Sequence, residues 1–283
     1  MSESRRGAAE QPLERIVFSS ARAAVGEWRC HPARPDFRDT GPIEHYLVAF
    51  PRTSARIRNA GRAAFVTDAT LFTVYNAGQR YTREAVHPDG DLCDWWSVDA
   101  GTARAIARAV DARAPHDTDR PFRFEKGPAA AALYLEQRTA LERIKAGTAE
   151  AMEAEECAMA IVERAIAAAA GDREEPGRNT AHRDLAEAAK ALLGARFRER
   201  LTLDGMAATL GVSPFHLSRT FRRQTGTRLH RYLLRLRIRA ALHSVAAAHG
   251  DLSGVAFDAG FCSHSHFTAA FVREFGVPPS ACR

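Results

Sequence analysis

The sequence predicts an α+β multidomain protein: a small amino-terminal β-barrel with helices, then an all-α carboxy-terminal domain with two helix-turn-helix motifs. Before residue 100, short runs rich in Val, Phe, Tyr and Trp alternate with turn signals, whereas after residue 128 Ala, Leu, Glu and Arg dominate. From Ser213 onward the chain nearly repeats itself fifty positions later. Ser213 is matched by Ser263, His216 by His266, Leu217 by Phe267, Phe221 by Phe271, Arg223 by Arg273 and Gly226 by Gly276. These shifts set expected boundaries: a β-rich domain at 14–115, a helical packing or dimerisation segment with a linker at 116–178, and the doubled motif at 179–283.

Within the first part, strands are expected at Ile43–Phe50, Ala63–Val66, Leu71–Tyr75, Arg80–Val86 and Leu92–Val98. They are punctuated by Thr40-Gly41-Pro42, Asn59-Ala60-Gly61, Asn76-Ala77-Gly78 and Pro88-Asp89-Gly90. Short strands with tight turns suggest a small barrel or jelly roll. Thr102–Ala112 reads as a helix and Pro115–Pro128 as a loop. Residues 129–170 give two helices broken near Gly147. One carries Tyr134, Gln137, Leu141 and Ile144 on a face, the other Met152, Ile161, Val162, Ala165 and Ile166. They either cover the barrel or pair with a second copy as a homodimer. The charged, Gly/Pro-punctuated run from Gly171 to Gly177 is the expected linker. His182–Phe197 opens the last domain as an amphipathic helix, and a long helix around Leu229–Ala248 joins the two motifs.

Charge and composition narrow the function classes. The net charge is +6, but residues 179–283 carry +8 and the remainder −2. Between Asp204 and Asp251 no acid occurs, while Arg219, Arg222, Arg223, Arg228, Arg231, Arg235, Arg237 and Arg239 fall in that gap. Such an end attracts a polyanion. The five cysteines are scattered without CxxC or CxxH spacing, which excludes a disulfide framework and a zinc finger. His31, His45 and His87 are isolated, so no metal set and no catalytic constellation is expected, nor any cofactor. His264 and His266 point apart on a helix and do not make a metal pair. Met1–Arg6 leads into no apolar core and reads as a frayed tail, and the apolar helix near Ala158–Ala170 is too short to span a bilayer. The expectation is a cytoplasmic protein with no membrane partner.

In the first copy, Leu203, Met206, Ala207 and Leu210 form the inner face of a supporting helix, and Gly211 supplies the turn. Ser213 is the expected N-cap, with Pro214 at the first helical position. Leu217 and Phe221 face inward, so Phe215, His216, Ser218, Arg219, Arg222 and Arg223 face outward, as on a recognition helix in the major groove. Arg219 is the expected guanine reader and Phe215 a thymine-methyl or sugar contact. His216 is read as a helix-packing or phosphate residue. Arg222, Arg223, Arg228 and Arg231 suit phosphates. Arg235, Arg237 and Arg239 are assigned to solvent along the connecting helix. In the second copy Ser263 caps, and His264, Ser265, His266 and Thr268 are expected to face the groove. Only Arg273 keeps its charge, because Ala269 and Val272 replace Arg219 and Arg222.

The ordered set Leu203–Leu210, Gly211-Val212-Ser213, His216–Phe221, Gly226, Ile238–Ala241, Val255-Ala256, Gly260-Phe261, Ser265-His266-Phe267, Phe271, Phe275–Pro279 and Arg283 resembles the AraC/XylS transcriptional regulators. The resemblance covers about the last hundred residues. It implies two recognition helices in successive major grooves of promoter or operator DNA, joined by the long helix, with RNA polymerase as a further partner of an activator. Ala269, Val272 and Cys282 depart from the family pattern. By the same analogy the first half is a cupin-like sensory domain taking a small-molecule effector. Phe50-Pro51-Arg52 and Leu71–Tyr75 followed by Asn76–Tyr81 resemble a sensory domain found in such regulators. An enzyme or DNA-repair protein carrying the same tail is the alternative, although the clustered cysteines of the latter are absent.

Overall fold

The computed structural model describes residues 13–110, 119–172, 180–247 and 251–282. By internal contacts the chain divides into two compact units, Met1–Arg173 and Glu174–Arg283. Met1–Arg6, most of the expected linker, Ala112, Pro115, Ala248 and Arg283 lie outside the described residues.

In the first unit the strands are β1 (Glu14–Ser19), β2 (Ala23–Cys30), β3 (Asp39–Thr40), β4 (Tyr46–Pro51), β5 (Ala55–Asn59), β6 (Phe65–Thr67), β7 (Leu71–Tyr75), β8 (Tyr81–Ala85), β9 (Asp91–Val98) and β10 (Lys126–Pro128). They form an antiparallel sheet of order β1-β2-β9-β4-β7-β10 and a second of order β3-β8-β5-β6. The two-residue period of each strand sorts its side chains. Ala49, Tyr75 and Trp95 of the large sheet meet Ile57, Phe65 and Tyr81 of the small one in a shared core. On the opposite face of the large sheet lie Phe50 and Phe72, ring centroids 5.7 Å apart, and the fully buried Trp96.

Three helices complete this unit: α1 (Ala100–Val110), α2 (Ala131–Lys145) and α3 (Ala151–Gly171). The apolar stripe of α3, from Ala154 through Ile161, Val162, Ala165 and Ile166, is buried within the unit, where α3 packs on β2, β4, β9 and β10. Trp96 Nε1 donates to Gln137 Oε1 of α2 at 3.2 Å, which explains a polar residue on that helix's inner face. Arg138 beside it is also buried, 3.0 Å from both carboxylate oxygens of Asp94. Lys145 reaches Glu27 at 3.1 Å, so α2 is fastened to the sheet by charge as well as by packing.

Several expectations are corrected. The strand expected from Ile43 begins at Tyr46, because Ile43 bonds the Gly78–Gln79 turn through both its N–H and its carbonyl. β5 went unexpected since Arg56 and Arg58 alternate with a buried side whose only large apolar residue is Ile57, and β10 lies in the supposed loop as a Pro-ended edge strand. α1 starts two residues early because Asp99 accepts from Gly101 N at 2.7 Å and caps it. Met152 is 72% exposed. Nine residues before Ile161, it stands on the opposite side of a helix turning about 100° per residue.

The second unit contains α4 (Thr180–Arg196), α5 (Leu203–Thr209), α6 (Pro214–Thr225), α7 (Leu229–Ala247), α8 (Leu252–Asp258), α9 (His264–Phe275) and a short 3-10 turn, Pro279–Cys282. One core gathers Leu193 and Phe197, Met206 and Ala207, Leu217 and Phe221, and Tyr232, Leu233 and Leu236. At the other end, α7 packs on α8 and α9, where Phe261, Phe267, Phe271 and Phe275 form a chain of edge-to-face and tilted ring contacts at 4.9–5.7 Å. Burying each such ring stabilises by roughly 1.5–3 kcal/mol. Among the described residues no helix is long and apolar enough to cross a membrane.

Candidate nucleic-acid interface

Both helix-turn-helix copies are built by the same local rules. In the first, Thr202 accepts from Gly205 N at 3.1 Å and starts α5. Gly211 takes φ +67° and Val212 N reaches back to Ala207 O at 3.0 Å. Ser213 Oγ then accepts from His216 N at 3.2 Å, Pro214 occupies the first turn, and α6 ends on Gly226 at φ +66°. In the second, Asp251 accepts from Gly254 N at 2.7 Å and starts α8. Gly260 takes φ +84° and Phe261 N reaches Ala256 O at 3.0 Å. Ser263 Oγ accepts from His266 N at 3.2 Å and α9 ends on Gly276 at φ +76°. Left-handed glycines at these turns avoid the strain a Cβ would bring.

On α6 the buried residues are Leu217, Thr220 and Phe221. Phe215 is 73% exposed, and His216, Ser218, Arg219, Arg222 and Arg223 are exposed with it, as is Ser213. The His216 ring centroid lies 5.7 Å from that of His182 on α4, which ties its position to helix packing. On α9 the buried residues are Phe267, Ala270 and Phe271, leaving Ser263, His264, Ser265, His266, Ala269, Val272 and Arg273 exposed. Thr268 departs from expectation. It is half-buried and its hydroxyl is enclosed. Leu203 also departs: it is exposed at the first position of α5, and core contact begins at Met206.

The two copies flank a cleft of about 840 Å³ whose wall includes Arg222, Arg228, Arg231, Arg235 and Arg273. Among the described residues no carboxylate pairs with Arg219, Arg222, Arg223, Arg228, Arg231 or Arg273. Glu274 and its partner Arg235 also line this wall, but a concave surface on which Arg222, Arg228, Arg231 and Arg273 face no carboxylate partner is suited to phosphates.

The three arginines assigned to solvent have other roles. Arg239 is buried, with Nε and Nη2 at 2.9 and 2.6 Å from Glu274 Oε1, and Arg235 Nε lies 3.3 Å from Glu274 Oε2. Arg237 donates to the carbonyls of Phe197 at 2.6 Å and Glu199 at 2.7 Å, closing the free end of α4. A Cβ on Gly260 would come within 2.7 Å of Arg198 O, so the second turn rests against the same segment. Glu274, which sequence reasoning passed over, thus holds α9 onto α7. Its one signal was being the sole acid on a helix otherwise neutral or basic.

A family model described as a helix-turn-helix domain matches residues 206–283. The HTH-type transcriptional activator RhaS of Escherichia coli is 32% identical over 93 residues, covering 33% of this chain and 34% of that protein. Its counterpart in Escherichia fergusonii is 33% identical over the same length and the same shares. The match therefore spans about a third of these relatives' length. Among solved structures, a transcriptional regulator from Chromobacterium violaceum, described as an AraC-type DNA-binding domain-containing protein, is 28% identical with a TM-score of 0.35, covering 37% of this chain and 94% of that one. Unsaturated fatty acid-bound ToxT from Vibrio cholerae is 11% identical with a TM-score of 0.35, covering 93% and 95%. Residues 206–283, with the duplicated caps and turns that shape them, thus match a helix-turn-helix domain.

Proposed function

We propose that this chain regulates transcription by binding promoter or operator DNA sequence-specifically, with α6 and α9 entering successive major grooves, and that it is not an enzyme. The observation that carries the reading is the pair of identically capped helices flanking a cleft on whose wall Arg222, Arg228, Arg231 and Arg273 have no carboxylate partner among the described residues. Arg219 reads a guanine edge, Phe215 touches a thymine methyl or sugar, and Ser213, Ser218 and His216 set register beside them. Arg222, Arg223, Arg228 and Arg273 bind phosphates. Ser263, His264, Ser265 and His266 make polar contacts in the second groove, with Thr268 supporting from behind. The protein acts in the cytoplasm as an activator that recruits RNA polymerase, and a small molecule bound by the amino-terminal unit sets its response. A homodimer would use the outer faces of α2 and α3, where Met152 is exposed, because the inner stripe of α3 is already covered.

The test is selection of bound genomic fragments by the full chain, followed by footprinting of the winners. Protection of two adjacent major-groove segments on one face of the duplex is expected. Protection of less than one helical turn, or equal retention of random fragments, overturns the reading.

A further inference from the structure

Between the two sheets of the first unit lies a cavity of about 250 Å³. Trp28 of β2, Trp95 of β9, Tyr75 of β7 and Tyr81 of β8 contribute to its wall, with the two tyrosine rings 5.0 Å apart. The indole N–H groups of Trp28 and Trp95 are enclosed by protein, so ring carbon rather than N–H fronts the space. Trp95 is held in that pose across from Gly26, where a Cβ would come within 2.5 Å of the indole. Of the threonine hydroxyls nearby, Thr67 donates to Ala55 O at 3.0 Å and Thr73 to Ala49 O at 3.5 Å, while that of Thr40 is enclosed by protein. Burial keeps Tyr75, Tyr81 and Cys93 protonated by raising each pKa.

Apart from His45, the ionisable side chains with a formal charge in the lining of this cavity are acidic. Its lining includes Glu14, Glu44 and Asp91 with His45, and no lysine or arginine. Asp91 is neutralised by Arg83 at 2.8 Å, whose guanidinium stacks on Trp28 from outside the lining. Glu14 and Glu44 at the rim have no such partner among the described residues. Loss of hydration lifts the Glu14 carboxyl, His45 opposes this, and Glu44 adds repulsion. A carboxylate ligand would meet no counter-charge, and a polyol would find few open hydrogen-bonding groups. Aromatic faces closed by carboxylates attract an organic cation, and the volume lies below the usual ~300–1,000 Å³ of a drug-sized site.

Resting on the reading that the first unit takes a small molecule, we infer that its ligand is a single-ring organic monocation, the ring among Trp28, Trp95, Tyr75 and Tyr81 and the ammonium at Glu14 and Glu44. Titration of the full chain, followed by calorimetry and by tryptophan fluorescence, tests this with three probes: benzyltrimethylammonium, benzyl alcohol and phenylacetate. Two of the chain's three tryptophans stand in the wall, so occupancy changes the emission. The cation is expected to bind at least about tenfold more tightly than the alcohol, with no saturable response to phenylacetate. In the rim variant carrying both Glu14→Gln and Glu44→Gln, the cation loses that advantage while the alcohol is unaffected. Equal or stronger binding of phenylacetate or the alcohol, an unchanged preference in the rim variant, or no saturable response to any probe overturns the assignment. Fragment binding with and without the cation is read separately. Cation binding that leaves DNA affinity unchanged retains the site and removes its regulatory role, whereas a failure on DNA alone indicts the reader domain and not the cavity.

Discussion

On α6 the outward face carries Arg219, Arg222 and Arg223; on α9 the matching positions hold Ala269, Val272 and Arg273. Yet each helix opens on a serine whose hydroxyl accepts at 3.2 Å from the N–H three residues on, and each closes on a left-handed glycine. Backbone form and buried face have been kept where surface chemistry has diverged. The difference teaches that the residues that fold each helix and the residues that set its surface chemistry are separate members of the same helix. The second copy is consequently free to carry a structural acid: Glu274 occupies the position of Gln224 and clasps Arg239 and Arg235.

The largest effect expected to break the comparison is therefore at that pair. Glu274→Ala removes the carboxylate that the buried Arg239 bonds and should cost about 3 kcal/mol of stability, measured by urea denaturation, whereas Gln224→Ala should cost less than about 0.5 kcal/mol. Pairing Glu274→Leu with Arg239→Met should recover most of the loss. Equal costs at 224 and 274 would remove the clasp.

Next in size is the reading asymmetry. Arg219→Ala should cost about 1–3 kcal/mol of discrimination at one base pair in competition binding. Ala269→Arg should gain affinity on many sequences without comparable selectivity. Uniform weakening by Arg219→Ala would reassign that side chain to phosphate.

The smallest effect concerns what the copies share. Ser213→Ala and Ser263→Ala should each cost about 1 kcal/mol, and nearly the same amount, in thermal unfolding of the full chain. A cost confined to one of them would show that the caps, though matched in geometry, are not matched in energy.

Much of this was legible in the sequence because periodicity and capping act locally. Ser213, Pro214, Gly226 and their second-copy counterparts announce their conformations without reference to anything distant, and Phe215 stands exposed as the helical period requires. The same holds for Leu71–Tyr75, whose bounds are those expected. What escaped depends on partners remote in sequence. Arg235, Arg237 and Arg239 resemble solvated charges until Glu274 and the carbonyls of Phe197 and Glu199 are brought beside them. Asp94 gave no hint that Arg138 would bury itself against it. β5 was hidden because its two arginines face outward along a strand whose only large apolar residue is Ile57.

The short bend Phe197–Glu199 touches α7 through Arg237 and the second turn through Gly260. An otherwise unremarkable corner thus braces both helix-turn-helix copies against one rod. A frame locked in this way resists twisting about α7, so it should demand a fixed phase between its two target segments. A single base pair inserted midway would rotate one segment by about 34–36°, and affinity should then fall toward that of one half alone.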